Sequence, residues 1–422
     1  MKNKSKKKKK FIKIILLSLV VIIAGILALS IRPAYSGVNF EPADSQNKTD
    51  KTIKFGSDGK LKILHIPDTH LKLNHNFDPT ILLVERACDT EKPDIAVLTG
   101  DIVLNCDNAE DTKKMINALM NIFDSRNIPV AVTFGNHDSE EGAMSREDLM
   151  AYYNTFSCSV SVDDGEALSG CGTYNIPVLS SDGKKVNFNL WVFDSGDYDE
   201  EGRYSCVRSD QVEWYKKTSD RLAAENNGEK VNSLVFQHII VSEIYDALKK
   251  SDSRISYAYK HLYNKDEYYM FDPDRIYYGT IRETPCPGYS NYGQFDAMVE
   301  KGDVLAMFTG HDHTNAFGVE YKGIDIVNSL STRYIGLFHS TQCGYRVIEV
   351  DENDTSTYET RVVRMFDIYD FEAVKEEKQN GDKFTYKMIR EFAFKGMLQK
   401  FATVVYGKLI EAVTGRQVTY PD

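Results

Sequence analysis

The sequence has no pair of cysteines spaced as C-x-x-C. Its seven cysteines are scattered along the chain from Cys88 to Cys343. This distribution excludes a zinc knuckle built from cysteine thiolates. An exported domain can form disulfides, but the odd number and wide spacing of these cysteines leave any pairing open.

Basic residues are scarce beyond the first 13 residues. That opening segment contains eight of the 51 lysines and arginines and no acidic residue, so 43 basic residues remain against 62 aspartates and glutamates. The remainder carries a net charge of about −19, and such an exterior repels polyanions. We therefore expect no nucleic-acid binding.

Charged residues are absent between Ile14 and Ile31. As a helix, these 18 residues would reach roughly 27 Å, which is enough to cross a hydrocarbon core. The lysine-rich flank favours a cytoplasmic N-terminus. The sequence thus predicts a basic cytoplasmic segment (1–13), a transmembrane anchor (14–31) and an extracytoplasmic domain at the cell membrane. The alternative is a cleaved signal peptide and a secreted domain, because the small residues Ala34 and Ser36 suit a peptidase.

The rest of the chain predicts one large α/β domain. Residues 32–60 are polar and predict a linker. Strand-like and helical patterns alternate from residue 61, which predicts a parallel or mixed sheet. We assign 61–366 to this domain and 367–422 to a helical C-terminal extension. Residues 240–299 contain ten tyrosines and predict either a lid over a site or a packed loop.

Polar residues of the metal-binding type follow five of the strand-like runs. They are Asp68 and His70, then Asp101, then Asn136 and His137, then His238, and finally His311 and His313. In open α/β sheets, ligands bind at the carboxyl ends of the strands. Residues two apart in an extended chain point the same way, so Asp68 with His70 and His311 with His313 are expected to form two-pronged claws. The pattern predicts a metal site built from several strands.

In chain order these residues form the series D-x-H, G-D, G-N-H-D, H and G-H-x-H. With this series the sequence resembles the calcineurin-like metallophosphoesterases over about residues 61–350. The segments EKPDIAVLTGD, VFDSGDY and FTGHDHTNAFG are most similar to the purple-acid-phosphatase-like group of plants and yeast. The resemblance implies a four-layer α/β/β/α sandwich with two metal ions between the sheet ends. It also implies a phosphatase or phosphodiesterase that uses a metal-bridging hydroxide.

The resemblance also implies a role for each residue of the series. One metal ion would be held by Asp68, His70 and His313, the other by Asn136, His238 and His311, with Asp101 bridging and His137 acting as a catalytic non-ligand. Imidazole and carboxylate ligands suit manganese, zinc or iron. No orienting partner of His137 is evident; Asp138 is one candidate, but a turn cap is an equal one. Purple members carry a tyrosine where this chain has Leu104, so we expect a divalent pair.

The alternative function is a catalytically inactive binding protein anchored at the surface on the same fold. Such chains typically lose metal ligands, whereas all seven predicted ligands are present here. A metallo-β-lactamase-type site is excluded, because its H-x-H-x-D-H pattern would need acid and histidine at Asn315 and Ala316.

Overall fold

The computed structural model describes residues 39–41, 52–72, 77–104, 108–140, 143–162, 168–251, 258–272, 274–275, 277–334 and 343–368. The expected basic segment and membrane anchor lie outside these residues, as does the C-terminal extension beyond residue 368. Within the described ranges, no helix is long and apolar enough to cross a membrane. The transmembrane anchor therefore stays a prediction.

The described residues contain fifteen strands. They are β1 (Lys60–Ile66), β2 (Ile95–Thr99), β3 (Val130–Thr133), β4 (Tyr174–Leu179), β5 (Val186–Phe193), β6 (Ser233–Gln237), β7 (Lys249–Ser251), β8 (Tyr259–Lys260), β9 (Tyr268–Met270), β10 (Tyr277–Thr280), β11 (Val304–Thr309), β12 (Ala316–Tyr321), β13 (Ile324–Asn328), β14 (Gly344–Asp351) and β15 (Asp354–Arg364). The helices are α1 (Phe77–Glu91), α2 (Ala109–Asp124), α3 (Arg146–Tyr153), α4 (Ser209–Glu225), α5 (Ile244–Ala247), α6 (Gln294–Lys301) and α7 (Met365–Ile368).

The strands form two large sheets and a small one. The first large sheet has the order β15-β14-β1-β2-β3, and the second has the order β10-β12-β13-β11-β6-β5-β4. Strands β1, β2 and β3 are parallel to one another, and so are β5, β6, β11 and β13. Parallel neighbours end at the same edge of a sheet, so each sheet presents several carboxyl ends at one edge.

Side chains that alternate along the strands create three apolar layers. Ile63 of β1 packs between the two sheets with Phe236 and Phe308, whereas its neighbour Leu64 packs against the helices α1 and α2. On the outer face of the second sheet, Trp191 packs with residues of α4 and α6. The result is a helix layer, two sheets and a second helix layer. The expected α/β fold is confirmed.

A side-chain cap marks the start of helix α3. The side chain of Ser145 accepts a hydrogen bond from the backbone N–H of Asp148 at 3.1 Å. An N-cap of this kind satisfies one of the free donors in the first helical turn. Arg146 is the first residue of the helix, and its guanidinium donates to the Gly135 carbonyl, in the turn after β3, at 2.8 Å.

Residues on the N-terminal side of the predicted boundary at residue 61 pack against the domain. Ile53 and Phe55 are buried between the sheets, and the Phe55 N–H donates to the carbonyl of Leu179 at 3.0 Å. Residues 39–41 also contact the domain, because the Asn121 amide on α2 donates to two of their carbonyls. The described end of the expected linker 32–60 is thus part of the packed structure.

The described part of the tyrosine-rich region 240–299 packs onto the second sheet. It contains α5, the small sheet of β7, β9 and β8, and strand β10, which pairs with β12. Tyr245 is buried, stacks on His261 with 3.9 Å between ring centroids, and donates its hydroxyl to the Pro285 carbonyl at 2.7 Å. These contacts support the packed-loop interpretation for this part.

Candidate metal centre

The carboxyl ends of strands from both sheets meet at one place. Strands β1, β2 and β3 are followed by Asp68, Asp101 and Asn136, and the facing strands β6 and β11 are followed by His238 and His311. The Nε2 of His238 lies 3.3 Å from Oδ2 of Asp101, across the gap between the sheets. The structure therefore brings together site residues as far apart in the sequence as His70 and His313, which are separated by 243 positions.

The first ligand group consists of Asp68, His70, Asp101 and His313. One candidate ligand atom from each of the four lies within 4.8 Å of all the others. The Nε2 atoms of His70 and His313 are 2.8 Å apart, and His70 Nε2 is 3.5 Å from Oδ2 of Asp101. Asp68, His70 and Asp101 are buried, and one-third of the His313 side chain is exposed. Solvent or a ligand can therefore reach this group past His313.

The second ligand group consists of Asp101, Asn136, His238 and His311. Candidate ligand atoms of Asp101, His238 and His311 lie within 4.8 Å of one another. Oδ1 of Asn136 and Nδ1 of His311 are each 3.2 Å from His238 Nε2. Asp101 belongs to both groups, and its Oδ2 has no hydrogen-bond partner in the described part of the chain. A buried carboxylate oxygen of this kind, amid converging imidazole nitrogens, fits cations as its partners.

Burial and neighbouring charges set the protonation of the candidate ligands. Burial lowers the pKa of His70 and of His311, each to about 3, so both rings are neutral. Burial alone would raise the pKa of Asp101, but the charge of His238 outweighs it and holds that pKa well below its ordinary value. Burial opposes the charge of His238 in turn, yet Asp101 raises the pKa of His238 to about 9. The ionised carboxylate and the neutral rings of His70 and His311 are in the form that ligates a metal ion, whereas His238 must lose a proton when metal binds.

Four of the seven predicted ligands have left-handed backbone conformations. The φ angles are 52° at Asp68, 41° at His70, 50° at Asp101 and 67° at His311. Such values are uncommon outside glycine and cluster at functional sites. The prediction of claws in extended chain is therefore wrong: left-handed turns, and not the pleat of a strand, set the directions of these side chains, and His311 and His313 belong to different ligand groups. The His70 N–H donates to the Asp101 carbonyl at 2.8 Å and links two of these turns.

Backbone contacts orient three of the ligands. His238 Nδ1 donates to the Thr99 carbonyl at 2.8 Å, which leaves Nε2 free to face Asp101. The Asp68 carboxylate accepts the N–H of His311 at 3.0 Å. Oδ1 of Asp101 accepts a backbone N–H from the turn after β3, at 2.8 Å. Partners of this kind fix the tautomer and direction of metal ligands.

Asp138 is a turn cap and not the partner of His137. Its carboxylate accepts backbone N–H groups of Asp101 at 2.7 Å, Ile102 at 2.8 Å and Gly135 at 2.8 Å. These bonds tie the turn after β2 to the turn after β3. Burial, with the added repulsion of Asp101, raises the pKa of Asp138 to about 6.

Glu140 is the orienting partner of His137 that sequence reasoning missed. Its Oε2 forms a short hydrogen bond with His137 Nδ1. The His137 ring lies 5.4 Å from the His70 ring, and its side chain is partly exposed beside the first ligand group. The spacing H-x-x-E directly after G-N is the sequence signal that could have revealed this pair.

Two tyrosines that were not among the predicted site residues contact the second ligand group. The Asn136 amide donates to the Tyr198 hydroxyl at 2.8 Å. The Tyr204 ring meets the His311 ring edge-on, with 4.3 Å between centroids. Tyr198 ends the VFDSGDY segment that indicated the family subgroup, but no chemistry in that segment alone predicts its contact.

The remaining described histidines have structural roles. His65 is buried in β1, where its ring nitrogens lie 3.0 Å from the Ser329 hydroxyl and 2.8 Å from the Thr99 hydroxyl. His75 and His339 lie outside the described residues.

Known proteins are similar to this chain over most of its domain. A protein of Arabidopsis thaliana named probable inactive purple acid phosphatase 29 is 30% identical over 312 residues, which cover 68% of this chain and 74% of that protein. The phosphatase DCR2 of Saccharomyces cerevisiae is 25% identical over 243 residues, covering 52% of this chain and 41% of that protein. A solved dimetal phosphatase of Danio rerio, 13% identical, aligns with a TM-score of 0.44 over 72% of this chain and 98% of its own.

The plant and yeast relatives confirm the resemblance to the purple-acid-phosphatase-like group. The sequence profile of the family described as calcineurin-like phosphoesterase matches residues 61–315. That span contains both ligand groups and every strand end that forms them. The chain belongs to the calcineurin-like phosphoesterase family.

Proposed function

We propose that this protein hydrolyses phosphate mono- or diesters with two divalent metal ions, one in each ligand group. The single observation that carries the proposal is the position of Asp101, whose buried carboxylate belongs to both groups of candidate ligands. Family membership supports the same chemistry. Carboxylate and imidazole ligands suit manganese, zinc or ferrous iron.

The two ions, when bound, would acidify a water molecule for attack and neutralise the charge of the phosphoryl oxygens. The protein supplies the rest. His137 lies beside the first ligand group, and its Nδ1 is hydrogen-bonded to Glu140. Its Nε2 is therefore free to donate to a phosphoryl oxygen or a leaving group. The described turns hold the ligands in place before substrate binds.

The test is hydrolysis by the purified full chain. We expect it to cleave p-nitrophenyl phosphate or its bis ester in the presence of Mn²⁺, Zn²⁺ or Fe²⁺, and to lose this activity after treatment with EDTA. A protein that contains two metal ions per chain but cleaves neither ester, nor any member of a wider set of phosphoesters, would contradict the proposal.

A catalytically inactive binding protein is the second candidate. The observation that favours it is the naming of similar plant proteins as probable inactive phosphatases. The complete set of seven candidate ligands in this chain favours hydrolysis. Binding of inorganic phosphate to the metal-loaded chain without turnover of any ester would decide for the binding protein.

We also propose that the domain lies outside the cytoplasm, tethered by residues 14–31. The proposal rests on the uncharged run and on the eight lysines that precede it. Protease added to intact cells should remove the domain, and protection of the domain until the cells are lysed would contradict export. A mature N-terminus near Gly37 would instead indicate a cleaved signal peptide.

A further inference from the structure

Tyr198 and Tyr204, here called the tyrosine strap, link two members of the second ligand group. The Tyr198 hydroxyl accepts a hydrogen bond from the Asn136 amide at 2.8 Å. The Tyr204 ring contacts the His311 ring at 4.3 Å and 85°. The two tyrosine rings stack on each other at 5.7 Å and 26°. The strap therefore forms a continuous path of contacts from Asn136 to His311.

The backbone holds the strap in place. Tyr198 and Tyr204 face each other as an antiparallel pair, and the turn between them is closed by the Asp199 N–H, which donates to the Arg203 carbonyl at 2.7 Å. The Arg203 guanidinium also binds the Asp199 carboxylate at 2.7 Å. On the outer side, the N–H of Tyr289 donates to the Tyr204 carbonyl at 2.9 Å. A hairpin fixed from both sides can hold its rings in defined positions.

The chemistry of an amide makes the contact with Asn136 consequential. An asparagine side chain carries an oxygen that can bind a cation and an NH₂ group that cannot. By accepting a hydrogen bond from Nδ2, Tyr198 directs that group away from the centre. Oδ1 then faces His238 Nε2 at 3.2 Å, within the second ligand group. No charge on Asn136 attracts a cation, so its contribution depends on this orientation.

We propose that Tyr198 is a positioning residue for the metal ion of the second ligand group, and that Tyr204 fixes the His311 ring for the same ion. The inference rests on the metal centre of the proposed function but not on hydrolysis. The first ligand group contains neither Asn136 nor His311. The strap thus controls one ion of the pair and leaves the other unaffected.

Two matched substitutions test the proposal. Tyr198→Phe removes the hydroxyl that orients Asn136, whereas Tyr204→Phe removes a hydroxyl but keeps the ring contacts with His311 and Tyr198. The full chain, stripped of metal, is titrated with Mn²⁺ alone, and the dissociation constants of both ions are measured. We expect Tyr198→Phe to lower the affinity for one of the two ions by about 10- to 100-fold, the usual effect of removing an outer partner of a metal ligand. Tyr204→Phe should leave the affinities for both ions unchanged. Tyr204→Ala should lower the affinity for the same ion that Tyr198→Phe affects.

A double substitution identifies the ion that is affected. In a chain that already carries Asn136→Ala, adding Tyr198→Phe should cause no further loss of Mn²⁺ affinity, because the amide through which Tyr198 acts is gone. Thermal unfolding in EDTA should give equal midpoints for the two phenylalanine variants, which separates loss of metal from loss of fold.

The outcomes that overturn the inference are distinct from those that overturn the function. If the Tyr198→Phe variant binds both ions with wild-type affinity, or loses the same affinity for both, the positioning role is wrong. If the wild type binds two Mn²⁺ ions but cleaves no phosphoester, the proposed hydrolysis fails while the titration still decides the inference. A wild-type chain that binds fewer than two Mn²⁺ ions contradicts both.

Discussion

The two ligand groups hold their positions by different physical means. The first has a second carboxylate, Asp68, in addition to the shared Asp101, and it is open at His313. The second has a neutral amide, Asn136, in place of that carboxylate, and the tyrosine strap orients it. The first group therefore relies on charge and the second on orientation, so one centre contains two sites that different substitutions should affect separately.

Asp101→Ala should have the largest effect, because it removes the one residue that the two groups share. Both ions should be lost, and activity should fall by more than the about 10²- to 10⁴-fold that removal of a single acid–base residue causes. Metal content by elemental analysis and the hydrolysis rate are measured on the same preparation. Retention of two ions would show that Asp101 is not the bridge.

Asp68→Asn should weaken metal binding in the first ligand group alone. The variant keeps the size of the side chain but removes a negative charge from the first group, so the ion there should bind more than about 100-fold more weakly, beyond the range for outer partners. The ion of the second group should bind within a few-fold of its wild-type affinity. Titration with Mn²⁺ measures both, and equal weakening of the two ions would mean that the groups do not act separately.

His137→Ala should leave both ions in place and affect the rate alone. The His137 side chain lies beside the first group but contributes no atom to either set of candidate ligands. We expect a loss of about 10²- to 10⁴-fold in kcat. Glu140→Gln, which only weakens the orientation of the ring, should cause a smaller loss in kcat with an unchanged metal content. Loss of an ion in His137→Ala would show that His137 is a ligand.

The smallest expected effect is on colour. The residue three positions after Asp101 is Leu104, which cannot ligate iron, and the resemblance to the family implies a tyrosine at this position in its purple members. The protein as isolated should contain metal and show no visible phenolate-to-iron band. Among the described tyrosines, Tyr198 forms a hydrogen bond with a predicted ligand, so a band that disappears in Tyr198→Phe while the iron content stays unchanged would show that its phenolate binds iron directly.

The positions of the candidate ligands could be predicted from the sequence because local patterns contain them. Asp68, Asp101 and His311 directly follow apolar runs that form strands, and parallel strands place their ends together. The helix cap at Ser145 is equally local, since its partner Asp148 is three residues away. Information of this kind lies within a few residues of each position.

The contacts that orient the ligands could not be predicted in this way. Tyr198 is 62 residues from Asn136, and Ile53 packs between sheets whose other strands lie far along the chain. The left-handed turns at Asp68 and His311 also escape a propensity argument, since such conformations are unfavourable outside glycine and persist only where the surrounding structure enforces them. These features depend on tertiary packing.

The most direct test of the central claim is the hydrolysis rate as a function of bound Mn²⁺ per chain. The metal-free full chain is loaded stepwise, and cleavage of p-nitrophenyl phosphate and its bis ester is followed at each step. If two ions sharing Asp101 act together, activity should be negligible at one ion per chain and should rise as the second binds, reaching its maximum at two. Activity that saturates at one ion per chain, or that persists without metal, would contradict the account.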